Sequence, residues 1–140
     1  MLNELCYGLL AFLACSTADS RPKSQQISVS GTLKCDGNIM NGNEIKLLLR
    51  GSGASSHSYS TLNTTITDEN GNFAVTGSAD QDSHIETYLL IRHRCNLDDE
   101  FCVHESTVNI STEYINKDDF NMGDLRMEIV TSSGSQLLCS

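Results

Sequence analysis

The chain has 140 residues, with 18 acidic side chains against 9 basic ones and a formal net charge of −9. That balance excludes a nucleic-acid binder, which needs Lys and Arg to displace phosphate counterions, and a protein held by charge on anionic membranes. The length fits one domain, and 40 Asn, Ser and Thr residues favour turns and strands over helix.

Residues 9–15 read LLAFLAC, an apolar run shorter than the roughly 20 residues that cross a bilayer. The run suits the apolar part of a secretory leader, although the stretch before it has no Lys or Arg. Small residues at Ser16 and Ala18 place cleavage after Ala18, with cleavage after Ser16 as the alternative. The chain therefore divides into a leader over residues 1–18, a polar segment over 19–26 and one domain over 27–140, secreted to the extracellular space. No other segment reaches transmembrane length. Loss of the leader removes Cys6 and Cys15 and leaves Cys35, Cys95, Cys102 and Cys139, an even set that reads as two disulfides. Two glycosylation sequons remain, at Asn63 and Asn109.

Along the domain, Ile27, Val29 and Leu33 alternate with Ser28, Ser30 and Thr32, which predicts a strand with one buried face that Cys35 continues. Residues 36–42 form a turn. Ile45, Leu47 and Leu49 mark a second strand, with Leu48 interrupting its polar face. A loop of small residues follows over 51–58, and then Leu62, Thr64 and Ile66 alternate. In Thr67-Asp68-Glu69-Asn70-Gly71-Asn72-Phe73, Asn70 and Gly71 both tolerate positive φ, which predicts a tight hairpin. Phe73 and Val75 begin the next strand, and 77–83 reads as a polar loop. The longest strand is expected over 85–95, with Ile85, Leu89, Ile91, His93 and Cys95 on the core face and Tyr88, Leu90 and Arg92 on the other. Leu90 on that second face argues that the strand is covered on both sides or meets a partner. An acidic turn over 96–100, a strand over 101–110, a helical turn or ordered loop over 111–119 and a strand over 122–131 complete the chain. In that last strand Leu125, Met127 and Ile129 are expected inward. Seven or eight short strands separated by turns make an all-β, two-sheet antiparallel sandwich.

Four segments carry a family resemblance. They are Ser28-Val29-Ser30-Gly31-Thr32-Leu33-Lys34-Cys35, the hairpin of residues 67–73 with Gly77, Tyr88 to Asn96 with His93-x-Cys95 and then Cys102, and Glu113-Tyr114-Ile115 with Gly123-Asp124-Leu125 and Cys139. In this order the set resembles the nematode transthyretin-like proteins. The proline common in that family before the long strand is absent, with Thr87 in its place. The resemblance implies a secreted transthyretin-like sandwich without established catalytic activity. The roles that travel with it are extracellular signalling, adaptor work and binding of lipid or small apolar ligands.

His93-x-Cys95 and Cys102-x-His104 could supply a Cys2His2 zinc set, but six residues separate the cysteines and a secretory route oxidises thiols. The expected pairing is Cys95 with Cys102 across a hairpin, leaving Cys35 with Cys139; Cys35 with Cys95 across the two sheets is the rival. The acidic groups Asp98-Asp99-Glu100 and Asp118, Asp119 and Asp124 lack a calcium-loop pattern and read as solvated loops, so no metal is assigned. No Gly-x-Ser-x-Gly elbow is present. The chain ends Gln136-Leu137-Leu138-Cys139-Ser140, unlike the Tyr-Arg-Gly-Ser end of the hydrolase that shares the transthyretin fold. No catalytic residue and no cofactor are assigned. The expected function is a non-catalytic interaction module that recognises an extracellular protein or cell-surface receptor. A carrier of a small apolar or lipid ligand is the alternative, and a hydrolase is the third reading.

Overall fold

A computed structural model describes residues 24–50, 59–80 and 86–140 of the protein. The expected leader over 1–18, the loop over 51–58 and Ile85 lie outside the described residues.

Among the described residues, nine strands, one 3-10 turn and one short helix follow one another: β1 (Ser24–Cys35), β2 (Asn38–Ile39), β3 (Glu44–Arg50), β4 (Tyr59–Ile66), β5 (Asn72–Asp80), β6 (Glu86–His93), β7 (Cys102–Ile110), a 3-10 turn (Thr112–Tyr114), β8 (Phe120–Arg126), α1 (Met127–Ser133) and β9 (Ser135–Cys139). They form two sheets. In the first, β1 pairs with β5 and then β2 along one edge and with β8 along the other. The β1–β8 pairing is parallel and all other pairings are antiparallel. The second sheet runs β4-β3-β6-β7-β9.

The alternation read from the sequence sets the inner faces. Ile27, Val29 and Leu33 from β1 and Phe73 and Val75 from β5 meet Ile45, Leu47, Leu89, Ile91 and Ile110 of the second sheet in one buried cluster. β1 starts three residues before Ile27 because Ser24, Gln25 and Gln26 pair with Asp80, Ala79 and Ser78. The polar residues after Gly77 are thus strand, not loop. Backbone pairing alone fixes this stretch, and it leaves no apolar alternation to read.

The expected strand over 122–131 is corrected to a strand, a helix and a further strand. Leu125 is partly buried and Met127 fully buried, but Ile129 is 49% exposed. Met127 and Val130 instead share a helical face against the core, and the Ser132 and Ser133 hydroxyls donate back to the Ile129 and Val130 carbonyls. A short run whose apolar residues fit both periods is decided by tertiary packing.

β4 also departs from simple alternation. Leu47 pairs with Asn63 and Leu48 with Thr61, so Leu62 is an extra, bulged residue. Leu62 packs on the core, while beyond the bulge Thr67 is buried and Ile66 is 62% exposed.

The Asn-Gly turn is present but does not join neighbours of one sheet, because β4 and β5 lie in different sheets. Only Gly71 of the pair has positive φ, at 78°. The Asp68 carbonyl accepts from the Gly71 amide, and its Oδ1 accepts from the Asn70 and Asn72 amides. A Cβ on Gly71 would stand 2.9 Å from both the Leu33 carbonyl oxygen and Ile39 Cγ2. The backbone oxygen cannot move aside, since Leu33 donates its own amide to the Gly71 carbonyl. Left-handed strain and this contact together predict that Gly71→Ala loses about 2 kcal/mol or more. A urea titration should show a lower midpoint with an unchanged slope; an unchanged midpoint would refute the packing described for this corner.

The cysteine pairing expected from sequence is also corrected. The disulfides are Cys35–Cys95 and Cys102–Cys139, with Cα separations of 5.6 and 4.0 Å. The β6–β7 ladder runs to His93 opposite His104; two further residues would have set Cys95 opposite Cys102. Instead β6 ends, Asn96 takes a φ of 58°, and the Leu97 amide bonds the Arg94 carbonyl in a turn. Cys95 meets the end of β1, and Cys102 finds Cys139 as its ladder partner on β9. The first bond thus joins the two sheets and the second fastens an edge strand.

Candidate functional site

The motif residues act mainly as scaffold. Thr67 is buried, and its Oγ1 accepts from the Asn43 amide at 2.9 Å while its backbone exchanges bonds with Gly42 and Asn43. Phe73 fills the core. Gly77 lets the sheets approach, since a Cβ there would lie 2.7 Å from Leu62 Cβ. The acidic groups disperse into the framework. Asp119 accepts from Ser30 Oγ, Asp124 pairs with Lys34 at 2.9 Å, and Asp99 accepts from the Phe101 amide. Among the described residues no set of three His, Cys, Asp or Glu side chains could hold a metal.

His93 is the polar centre that composition and spacing missed in detail. It is 1% exposed, its Nε2 lies 2.9 Å from Ser106 Oγ and 3.2 Å from Thr131 Oγ1, and its ring lies 5.3 Å from that of His104. Burial first, and then His104, push its pKa down to about 4. The histidine and serine resemble a nucleophile and its base, but the proton is on the wrong nitrogen. Nδ1 accepts from the Cys95 amide, so in the neutral ring Nε2 carries the hydrogen. It can only donate toward the hydroxyls, and Ser106 is fully buried. The sequence signal for this arrangement is the His93-x-Cys95 spacing itself: the ring turns back to hold the residue that forms the inter-sheet disulfide.

The outer face of the second sheet is different in character. With Leu47, Leu49, Thr87 and Leu89 inward, three ladder rows point away from the core. Tyr59, Arg50 and Glu86 make one; Thr61, Leu48, Tyr88 and Asn109 the next; Thr64, Lys46, Leu90 and Thr107 the third. Tyr59 and Tyr88 meet edge to face with ring centres 5.7 Å apart. The Tyr88 hydroxyl donates to Glu86 at 3.0 Å, and Arg50 lies 3.4 Å from the same carboxylate. Burial and the bond to Glu86 raise the Tyr88 pKa, so the phenol stays neutral. Leu48 is buried, whereas Tyr59 is half exposed. The second-face Leu90 read from sequence therefore belongs to an aromatic and apolar strip with a charged end. At its border, Glu86, Tyr88, Asn109, Ile110, Ser111 and Thr112 line an open depression of about 380 Å³.

Of the two sequons, Asn63 donates Nδ2 to the Thr76 carbonyl at 2.7 Å, across the corner between β4 and β5. Asn109 is exposed on the outer face directly opposite Tyr88.

A solved 9R-lipoxygenase from Cyanothece PCC8801 is similar at 14% identity and a TM-score of 0.45, over 72% of this chain and 16% of that one. The chain thus spans about 16% of the length of that enzyme. None of the curated proteins matches it. The profile of the transthyretin-like family (TTR-52) matches residues 30–111, the stretch that contains β3 to β7, the Thr67–Phe73 corner and the His93-x-Cys95 strand. The chain belongs to the transthyretin-like family.

Proposed function

We propose that the protein is a secreted, non-catalytic interaction module that recognises an extracellular protein or cell-surface receptor through the outer face of its second sheet. The observation that carries this reading is the strip Leu48, Tyr59, Tyr88 and Leu90. An outward strand face in water is ordinarily polar, and Tyr at its centre is the residue type that interfaces favour. Two disulfides are compatible with an oxidising compartment, and among the described residues no helix is long and apolar enough to cross a membrane.

Carriage of a small apolar ligand between the sheets has less support. Leu33, Ile45, Leu47, Leu89 and Ile91 fill that space with no exposure, and the two depressions described lie on outer faces. Among the described residues, the His93–Ser106 pair gives a hydrolase reading no support, because the bond from the Cys95 amide leaves Nε2 as a donor. The reading predicts that labelled protein, made through a secretory route, binds cell surfaces saturably and is displaced by unlabelled protein. Weak binding that never saturates and disappears with salt would contradict it.

A further inference from the structure

We propose that Asn109 carries an N-linked glycan whose first sugar packs on the Tyr88 ring, while Asn63 stays unmodified in the folded protein. The inference rests on the secretory reading above; a sugar on Tyr88 covers the Asn109 end of the outer strip and leaves Tyr59 and Leu90 as the part open to a partner. Both residues stand in the acceptor pattern, Asn63-Thr64-Thr65 and Asn109-Ile110-Ser111, so sequence treats them alike. Their surroundings separate them.

The Asn63 amide is already committed. Nδ2 donates to the Thr76 carbonyl and Oδ1 accepts from the Thr64 amide at 2.8 Å. The first bond ties β4, in one sheet, to β5, in the other. N-linkage replaces an Nδ2 hydrogen and sets a sugar ring against the seam where Leu62 already abuts Gly77. Glycans are transferred to the unfolded chain, so a sugar at Asn63 acts against closure of this corner and selects modified chains out of the folded pool.

Asn109 faces the opposite circumstances. Both asparagines are exposed, but among the described residues the Asn109 side chain makes no hydrogen bond, and it stands one residue before the end of β7 at the rim of the open depression. β9 covers β7 only over residues 102–106, so a sugar at position 109 meets no neighbouring strand on that side. Across the ladder stands Tyr88, and directly opposed residues of an antiparallel pair have Cβ atoms roughly 5 Å apart. The apolar face of a hexosamine linked to Nδ2 can lie along the phenol ring. The Tyr88 hydroxyl is turned to Glu86 and Tyr59 meets the ring from the β3 side, which leaves the β7 side, where Asn109 stands, to the sugar.

The test expresses the full chain through the secretory pathway of a eukaryotic host. The product is released from its glycans by amidase in heavy-oxygen water, which labels each formerly occupied Asn, and is then mapped by peptide mass spectrometry. The expected result is label at Asn109 and none at Asn63 in the secreted, folded protein. N109Q should abolish the gel shift between treated and untreated protein, and T65A should leave it intact. Removing the glycan should lower the melting temperature by several degrees in the parent protein and leave Y88A nearly unmoved. Label at Asn63 in the secreted protein, absence of label at Asn109, or an equal melting shift in Y88A would each overturn the inference. Secreted protein without label at Asn109 overturns it alone. Protein found only in the cytosol and unlabelled overturns it together with the secretory reading.

Discussion

Replacing Cys35 and Cys95 together by Ala is expected to lower the unfolding free energy by about 4 kcal/mol, the loop-entropy value for a 60-residue separation. Equilibrium denaturation of the doubly substituted protein checks it. The bond binds the end of β1 to the chain just past β6, so its loss frees the two sheets to separate at that end. The Cys102–Cys139 bond closes 37 residues and gives a similar estimate of about 4 kcal/mol, but it restrains only β9 at the sheet edge. A hairpin bond between Cys95 and Cys102 would have contributed about 2.5 kcal/mol by the same rule. Peptide mapping without reduction should recover the 35–95 and 102–139 crosslinks, and a 95–102 crosslink would contradict the pairing described.

Acid is expected to destabilise the fold through His93. In the folded protein the ring stays neutral down to about pH 4, whereas an unfolded histidine titrates near its ordinary value of 6.5. Between those two values the unfolded chain takes up a proton that the folded one refuses. Stability contributed by the neutral ring is therefore present above pH 6.5, is lost as the pH falls through this window, and levels off near pH 4. The shift corresponds to at most about 3 kcal/mol. A proton on Nδ1 would face the Cys95 amide donor, and His104 is the ionisable ring beside it. His93→Gln removes the titration and keeps polar atoms in the site. Urea unfolding at pH 7 and pH 4.5 should show a smaller pH-dependent loss for that variant than for the parent protein, while carboxylates such as Glu128 contribute equally to both. Equal losses would show that His93 is not the acid-sensitive group.

Much of this fold was legible because burial follows parity. Ile27, Val29, Leu33, Ile45, Leu47, Leu89, Ile91 and His93 all fall inward as their alternation predicts. The turn at Thr67–Phe73 was legible for a similar reason, since few residues satisfy a positive φ against a backbone oxygen, but the hairpin expected from it is a crossing between the two sheets. Three features were hidden. The helix at Met127 hid because a seven-residue apolar pattern fits both a strand and two turns of helix. β9 hid because its Cys139 pairs with a strand more than thirty residues earlier, and Gln136 and Leu137 carry no alternating face. The Cys95–Cys102 pairing followed the correct register of β6 and β7; it failed because the ladder stops at His93, where a side chain bonds the backbone of the residue that leaves. On the outer face of the second sheet, Leu48 and Leu90 stood out in the sequence as apolar residues of the wrong parity. Tyr59 did not, because only the β3–β4 pairing carries it next to Tyr88.

The claim that the outer face of the second sheet recognises a partner is tested most directly by comparing cell-surface binding of the parent protein with that of a Tyr59→Thr, Leu90→Thr variant. Both positions lie outside the core, and Thr suits a strand, so the denaturation midpoint should stay nearly the same. Saturable binding is expected to weaken about tenfold or more, as loss of central aromatic and apolar anchors does. Undiminished binding by a variant of unchanged stability would contradict it.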